Sequence, residues 1–153
     1  MKITEIISEQ SISAELASTE KKRALAELST LLAQGSRGVR ADDILEVLTA
    51  RERVATTGIG EGVAIPHGKV PGLPGLVASF GRSTAGVDFR AIDGRPTHLF
   101  FTLFAPENSA GAHLKALARI SRIFKNPSFR DAILKAASAD EVYRLIEVED
   151  AKY

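Results

Sequence analysis

The chain has 153 residues, 44% of them apolar and 25% charged, with a formal net charge of +1. That composition is globular and long enough for a sizeable core. It offers no basic stripe for nucleic acid, no cysteine for thiolate catalysis or disulfides, and no apolar run long enough to cross a bilayer. The charges within "MKITEIISEQ" exclude a secretory signal, so a cytoplasmic protein without membrane insertion is expected.

Residues 3–16 fit either a helical turn (Ile3, Ile6, Ile7) or a short strand (Ile12, Ala14, Leu16). Ser18 or Thr19 is expected to cap a helix that carries Leu25, Leu28 and Leu32 inward and ends at Gln34-Gly35. Asp42 and Asp43 open a second helix, which runs to about Arg53. Leu76 to Phe80 reads as a strand, Val87 and Phe89 as a separate short one, and Asp93-Gly94 as a turn. "THLFFTLF", Thr97 to Phe104, predicts a central strand buried on both faces. Ser109 is expected to cap a helix with Leu114, Leu117, Ile120 and Phe124 inward. Asn126-Pro127 starts another helix, which buries Phe129, Ile133 and Leu134. Ser138 with Glu141 forms a capping box ahead of Val142, Leu145 and Ile146. Residues 1–153 thus read as a single α/β domain with helices packed on a mostly central sheet.

Between the second helix and the strands lies "TTGIGEGVAIPHGK", Thr56 to Lys69. Its glycines suggest phosphate binding, because they free backbone N–H groups for anions. Neither nucleotide motif fits. Gly58-x-Gly60-x-Gly62 leads into a strand-like run instead of a helix, and Gly62 to Gly68 encloses five residues with Val70 after Lys69. What remains is His67 mounted behind Pro66, which stiffens the backbone before the ring. Gly68 is expected to leave one side of that ring open. Two readings stay open on the residues alone: a loop histidine that bonds locally, or a neutral imidazole near its free pKa of about 6.5 that takes a phosphoryl group and passes it on.

The stretch "TGIGEGVAIPHGK" resembles the active-site signature of the type-2 Enzyme IIA domains of the bacterial phosphoenolpyruvate-dependent phosphotransferase system, the mannitol/fructose class that includes a nitrogen-regulatory branch. "ILEVLTARERVATTGIG", "GVDFRAIDGRPTHLFFTLFAP" and "AHLKALARISR" resemble further blocks of that family, in the same order, over most of residues 20–146. The resemblance implies a mixed central sheet flanked by helices on both faces. It implies that His67 is the phosphoryl acceptor through its Nε2 and that His113 stabilises the phosphoryl group, a role suited to the first turn of a helix. It implies a similar stabilising role for Arg51, as a fork for phosphoryl oxygens. Thr57 is expected to orient the ring by a hydroxyl bond, Lys69 to steer by charge, and His98 to have no part in the site.

No cofactor and no metal are expected, since only His67 and His113 would be paired and no third ligand is placed. The implied donor is an HPr-like phosphocarrier. The implied acceptor is a regulatory target protein or, alternatively, a separate sugar-specific Enzyme IIB; in a third reading His67 is only the switch of a docking regulator. "FRAIDGRPTHLFFTLFAP" is most similar to the nitrogen-type members. The apolar "KVPGLPGL" and Thr97 depart from the family pattern and bear on partner choice. Gly58, Ile59, Gly60, Ile65 and the 71–76 loop are expected to form an apolar rim around the ring.

Overall fold

The computed structural model describes residues 1–36 and 38–153. One mixed sheet holds six strands: β1 (Ile12–Ser13), β2 (Gly58–Gly60), β3 (Val63–Ala64), β4 (His67–Lys69), β5 (Val77–Val87) and β6 (Thr97–Ala105). Their order is β1-β5-β6-β3-β2, with β4 also paired to β6. β5 runs antiparallel to β6, while β3 and β4 run parallel to it, Val63 opposite Leu99 and His67 opposite Leu103. The helices are α1 (Lys21–Gln34), α2 (Ala41–Val54), α3 (Ala110–Phe124), α4 (Pro127–Lys135) and α5 (Ala139–Asp150).

β6 is the axis of the fold. Successive side chains of a strand point to opposite faces, and its residues divide accordingly. Leu99, Phe101 and Leu103 join one core with α3, α4, α5 and the N-terminal isoleucines. Phe100 and Phe104 join the other with α1 and α2. The expected doubly buried strand and the sheet flanked on both faces are therefore both present.

Residues 3–16 take up both readings in turn, as two 3-10 turns and then β1, which pairs with β5. Several other local expectations are corrected. The two short strands expected at 76–80 and 87–89 are one strand, β5, which bulges between Arg82 and Val87. Gly86 adopts φ +90° in that bulge, a region open to glycine. Ser18 and Thr19 do not cap α1. Glu20 holds the cap position without a side-chain bond, and Ser18 donates to the carboxylate of Glu27 instead. Ser138 does accept from the Glu141 N–H, but the Glu141 carboxylate reaches the N–H of Ala137, one residue outside the expected box. Leu114 and Leu134 are exposed, not inward. The inner stripe of α3 is His113, Ala116, Ile120, Ile123 and Phe124, rotated from the expected stripe so that a histidine and an alanine take the places assigned to leucines.

Candidate functional site

α2 ends beside the start of the glycine-rich segment, and α3 begins just after β6. These two ends meet at β4, whose first residue is His67. Pro66 is buried and its carbonyl accepts from the Leu103 N–H, so the mount beneath His67 is part of the sheet. Gly68 has a packing purpose. A Cβ there would clash with the Val47 Cγ1 of α2 and lie 3.3 Å from the Phe104 ring. Its missing side chain lets α2 pack directly against β4.

The His67 ring is half-buried, and its Nδ1 lies 2.8 Å from the Ile65 carbonyl. A carbonyl only accepts, so Nδ1 carries the proton and Nε2 keeps a free lone pair. Burial pushes the pKa of His67 below its ordinary value, against the Ile65 bond; Arg51 pushes the same way as burial, and Glu52 pulls it up. The ring is thus held neutral, in the tautomer that presents Nε2 as nucleophile.

His113 lies in the first turn of α3 with its ring 5.6 Å from that of His67, at 75° in an edge arrangement. It is only 6% exposed, and its Nε2 is buried with no hydrogen-bond partner among the described residues. Burial lowers its pKa, assisted by the charge of Lys69 and by His67 whenever that ring is protonated. An unpaired buried polar atom is costly, so this nitrogen is set up for a partner brought from outside. The N-terminus of α3 has no side-chain cap: Ser109 occupies the cap position, but its hydroxyl donates to the Pro106 carbonyl. The first amides of the helix are left for an anion.

Arg51, in the last turn of α2, donates from Nη1 to the Ala55 carbonyl at 2.8 Å. That bond uses one of its five donors, and its charge is felt at His67. Thr57 makes no bond to the ring. Its hydroxyl donates to Glu52 Oε1 at 2.7 Å, and the orienting bond expected from it is supplied by the Ile65 carbonyl. Lys69 is exposed, on the same face of β4 as His67 by the alternation of the strand. His98, near the start of β6, bonds the Ser83 carbonyl of β5.

The expected rim is partly replaced. Gly58, Gly60 and Ile65 are buried. Ile59 is exposed but lines a hollow with Ser121, Phe124 and Arg130, at the opposite end of α3 from His113. In the 71–76 loop Pro71 and Pro74 are exposed and Leu73 is buried, and Leu114, next to His113 in the chain, is exposed. Glu52 was not foreseen. Its buried carboxylate binds the Thr57 N–H with both oxygens, at 3.0 and 2.8 Å. In sequence it is one charge among several at a helix end.

The family described as "Phosphoenolpyruvate-dependent sugar phosphotransferase system, EIIA 2" matches residues 5–148. A nitrogen regulatory protein of Bradyrhizobium diazoefficiens is 37% identical over 99% of this chain and 98% of its own length. The fructose-specific EIIABC component of Bacillus subtilis is 36% identical over 98% of this chain, which spans only 24% of that longer protein. Among solved structures, the nitrogen regulatory protein IIA-Ntr of Neisseria meningitidis superposes with a TM-score of 0.87 at 37% identity, covering 94% of this chain and 98% of that one. The IIA mannitol protein of Escherichia coli, 21% identical with a TM-score of 0.75, shares the fold.

Proposed function

We propose that this chain, which belongs to the EIIA 2 family of the phosphoenolpyruvate-dependent sugar phosphotransferase system, is a histidine phosphocarrier that acts mainly as a nitrogen-type regulator. The observation that carries this is the pairing of two imidazoles. One has Nδ1 tied to Ile65, and the other offers a buried, unpartnered Nε2 one ring away.

In the proposed step the Nε2 lone pair of His67 attacks the phosphorus of a phosphohistidine on an HPr-like donor. The N–P bond to the donor breaks, its electron pair stays on the donor imidazole, and a new N–P bond forms to Nε2. His67 keeps its Nδ1 proton, so the ring becomes cationic as the bond forms. The Nδ1–H···O=C bond to Ile65 then strengthens, because charge-assisted bonds are roughly twice as strong as neutral ones. His113 donates from Nε2 to a phosphoryl oxygen, and the open amides of α3 and the free donors of Arg51 take the others. The phosphoryl group leaves by the reverse step, or signals while bound. Its charge of nearly −2 alters which partners dock at this surface, where Leu114, beside His113 in the chain, is exposed. Among the described residues no helix is long and apolar enough to cross a membrane, and the reading sets the carrier in the cytoplasm.

The regulatory assignment is supported by full-length similarity to nitrogen regulatory proteins. A second reading, delivery of phosphoryl to a sugar-specific Enzyme IIB, is supported by the fructose-specific relative. The deciding experiment incubates the chain with phosphoenolpyruvate, Enzyme I and an HPr-like carrier and weighs the intact protein. One phosphoryl mass is expected on the parent and none on His67→Ala; a phosphorylated His67→Ala would end the assignment. The loaded protein is then offered a fructose-type B domain, and discharge to it at a rate matching cognate transfer would replace the regulatory reading with the second.

A further inference from the structure

Glu52 is a nearly buried carboxylate, with 5% of its side chain exposed, one residue from Arg51 in the last turn of α2. It holds three donors: the Thr57 N–H by both oxygens, the Thr57 hydroxyl at 2.7 Å and the Lys21 ammonium at 3.5 Å. Thr57 is itself buried and immediately precedes the strand β2. Its carbonyl accepts the Ile65 N–H at 3.1 Å, and the Ile65 carbonyl in turn holds the Nδ1–H of His67 at 2.8 Å. A single line of hydrogen bonds therefore runs from Glu52 through Thr57 and Ile65 to the imidazole, with Lys21 ion-paired to its carboxylate end.

We propose that Glu52, backed by Lys21, is a positioning residue for His67. It fixes the peptide that sets the ring's tautomer, and its charge keeps the imidazole basic enough to act as a nucleophile. Hydrogen bonds in a chain polarise one another, so a charge at one end is felt at the other. The groups facing His67 are Arg51 and Glu52 from α2, His113 from α3 and Lys69 from its own strand. Of these, Glu52 is the one carboxylate, and it acts on the ring in the opposite sense to Arg51. Lys21 restrains that carboxylate from α1, where it also lies over the Phe89 ring at 4.6 Å. The salt-bridged pair has a function at His67, beyond bracing two helices.

This inference rests on His67 as the phosphoryl acceptor, so its test reads the unphosphorylated ring. ¹⁵N spectra of the full chain, without any donor, follow His67, His113 and His98 through a pH titration. Glu52→Gln, which keeps the shape and removes the charge, is expected to lower the His67 midpoint and to mix its tautomers. Lys21→Gln, which bares the carboxylate, is expected to move the midpoint upward. His98 should stay put in both. Transfer from the HPr-like carrier to Glu52→Gln should slow by about tenfold, the low end of what removing an outer orienting partner costs at metal-bound histidines, with the stoichiometry unchanged.

An unmoved His67 midpoint and tautomer in Glu52→Gln, alongside a lower melting temperature, would reduce Glu52 to a brace and overturn the inference. So would equal shifts at His98. If Glu52→Gln does not fold, Lys21→Gln decides alone, an upward shift supporting the inference and no shift refuting it. Loss of phosphorylation at His67 in the parent chain would leave these titrations standing, so the two readings fail separately.

Discussion

The polar groups around Asp150 and those around His67 both lie among apolar side chains, but their hydrogen bonds are spent differently. Asp150 is 1% exposed. Its carboxylate accepts from Arg119 Nε at 2.8 Å and from the Thr4 N–H at 3.2 Å. Its carbonyl, at the end of α5, accepts from Arg119 and Lys2. Glu149 beside it takes Asn126, Lys152 and Tyr153. Both ends of the chain are fastened there with partners to spare. At the other centre, among the described residues, the His113 Nε2 has no partner and no side chain bonds the His67 Nε2, and α3, like α1 and α2, starts without a side-chain cap. One centre uses its polar groups to hold the chain. The other leaves them open, as the proposed visitor, a phosphoryl group, requires.

If that contrast is right, the two centres should answer mutation in different currencies. The largest effect is expected at the fastened one. Asp150→Ala leaves Arg119, only 17% exposed, without its carboxylate. Breaking a buried pair from one side costs about 3–5 kcal/mol. The low end is expected, because Arg119 keeps the backbone carbonyls of Asp150 and Tyr153. A urea midpoint measures the loss. Phosphoryl acceptance by the folded fraction should not change, and a matching drop in transfer rate would erase the distinction.

His113→Ala is expected to do the reverse. Removing one donor aimed at developing charge typically costs on the order of 10²–10³ in rate. Stability should hardly fall, since the variant also removes an unsatisfied buried nitrogen. Stopped transfer assays on parent and variant give the ratio. A variant that transfers at the parent rate would make His113 a core residue.

Gly68→Ala probes the seam between the two. Its new methyl would clash with the Val47 side chain, and overpacking of this kind costs about 1–3 kcal/mol. The loss should come with slower phosphoryl acceptance, because α2 carries Arg51 and Glu52. Val47→Ala in the same chain should restore both; recovery of stability without recovery of rate would separate the packing from the site.

These residues differ in how far they could be read from the sequence. The mount of His67 was legible because it is linear, a proline before, a glycine after and a strand leading in, but its role came from the family resemblance. His113 came from that resemblance too, and its place in the first turn of a helix only agreed with it. Glu52 was hidden, because its importance depends on a chain reversal at Ala55-Thr56 that folds Thr57 back onto the helix end. Sequence alone shows a glutamate between two arginines. The α3 face was misjudged for a related reason. Leu114 and Leu117 suggest one stripe, whereas the buried one uses His113 and Ala116, and the bulkier residues made the wrong stripe look stronger. β5 was expected as two pieces, but the strand continues through Gly81 and Arg82 and bulges before Val87. In the fold Arg82 spans β5 and α4, its guanidinium donating to the carbonyls of Ala14, Ile133 and Ala136, which keeps a charge inside a strand.

The smallest expected effect is a pH dependence that separates the two centres by window. His67 and His113 both have pKa values below the ordinary 6.5, chiefly through burial. Folded, they bind fewer protons than the unfolded chain between 6.5 and their own lower values. Stability rises with pH wherever the unfolded state binds more protons, so it is complete above about 6.5 and drains as pH falls through the folded values. Glu149 behaves alike but lower. Burial raises its pKa, the bonds from Asn126 and Lys152 outweigh that, and the net value lies below 4.5. Its contribution is present above about 4.5 and is lost only under more acid conditions. Urea midpoints followed from neutral pH downward should therefore fall in two stages. In the double variant His67→Gln, His113→Gln the first stage should vanish and the second remain. In Glu149→Gln the first should remain and the second shrink. If the double variant loses stability between neutrality and the carboxylate range as steeply as the parent, the two imidazoles are not held neutral by the fold, and the visitor's site loses the property that makes it nucleophilic.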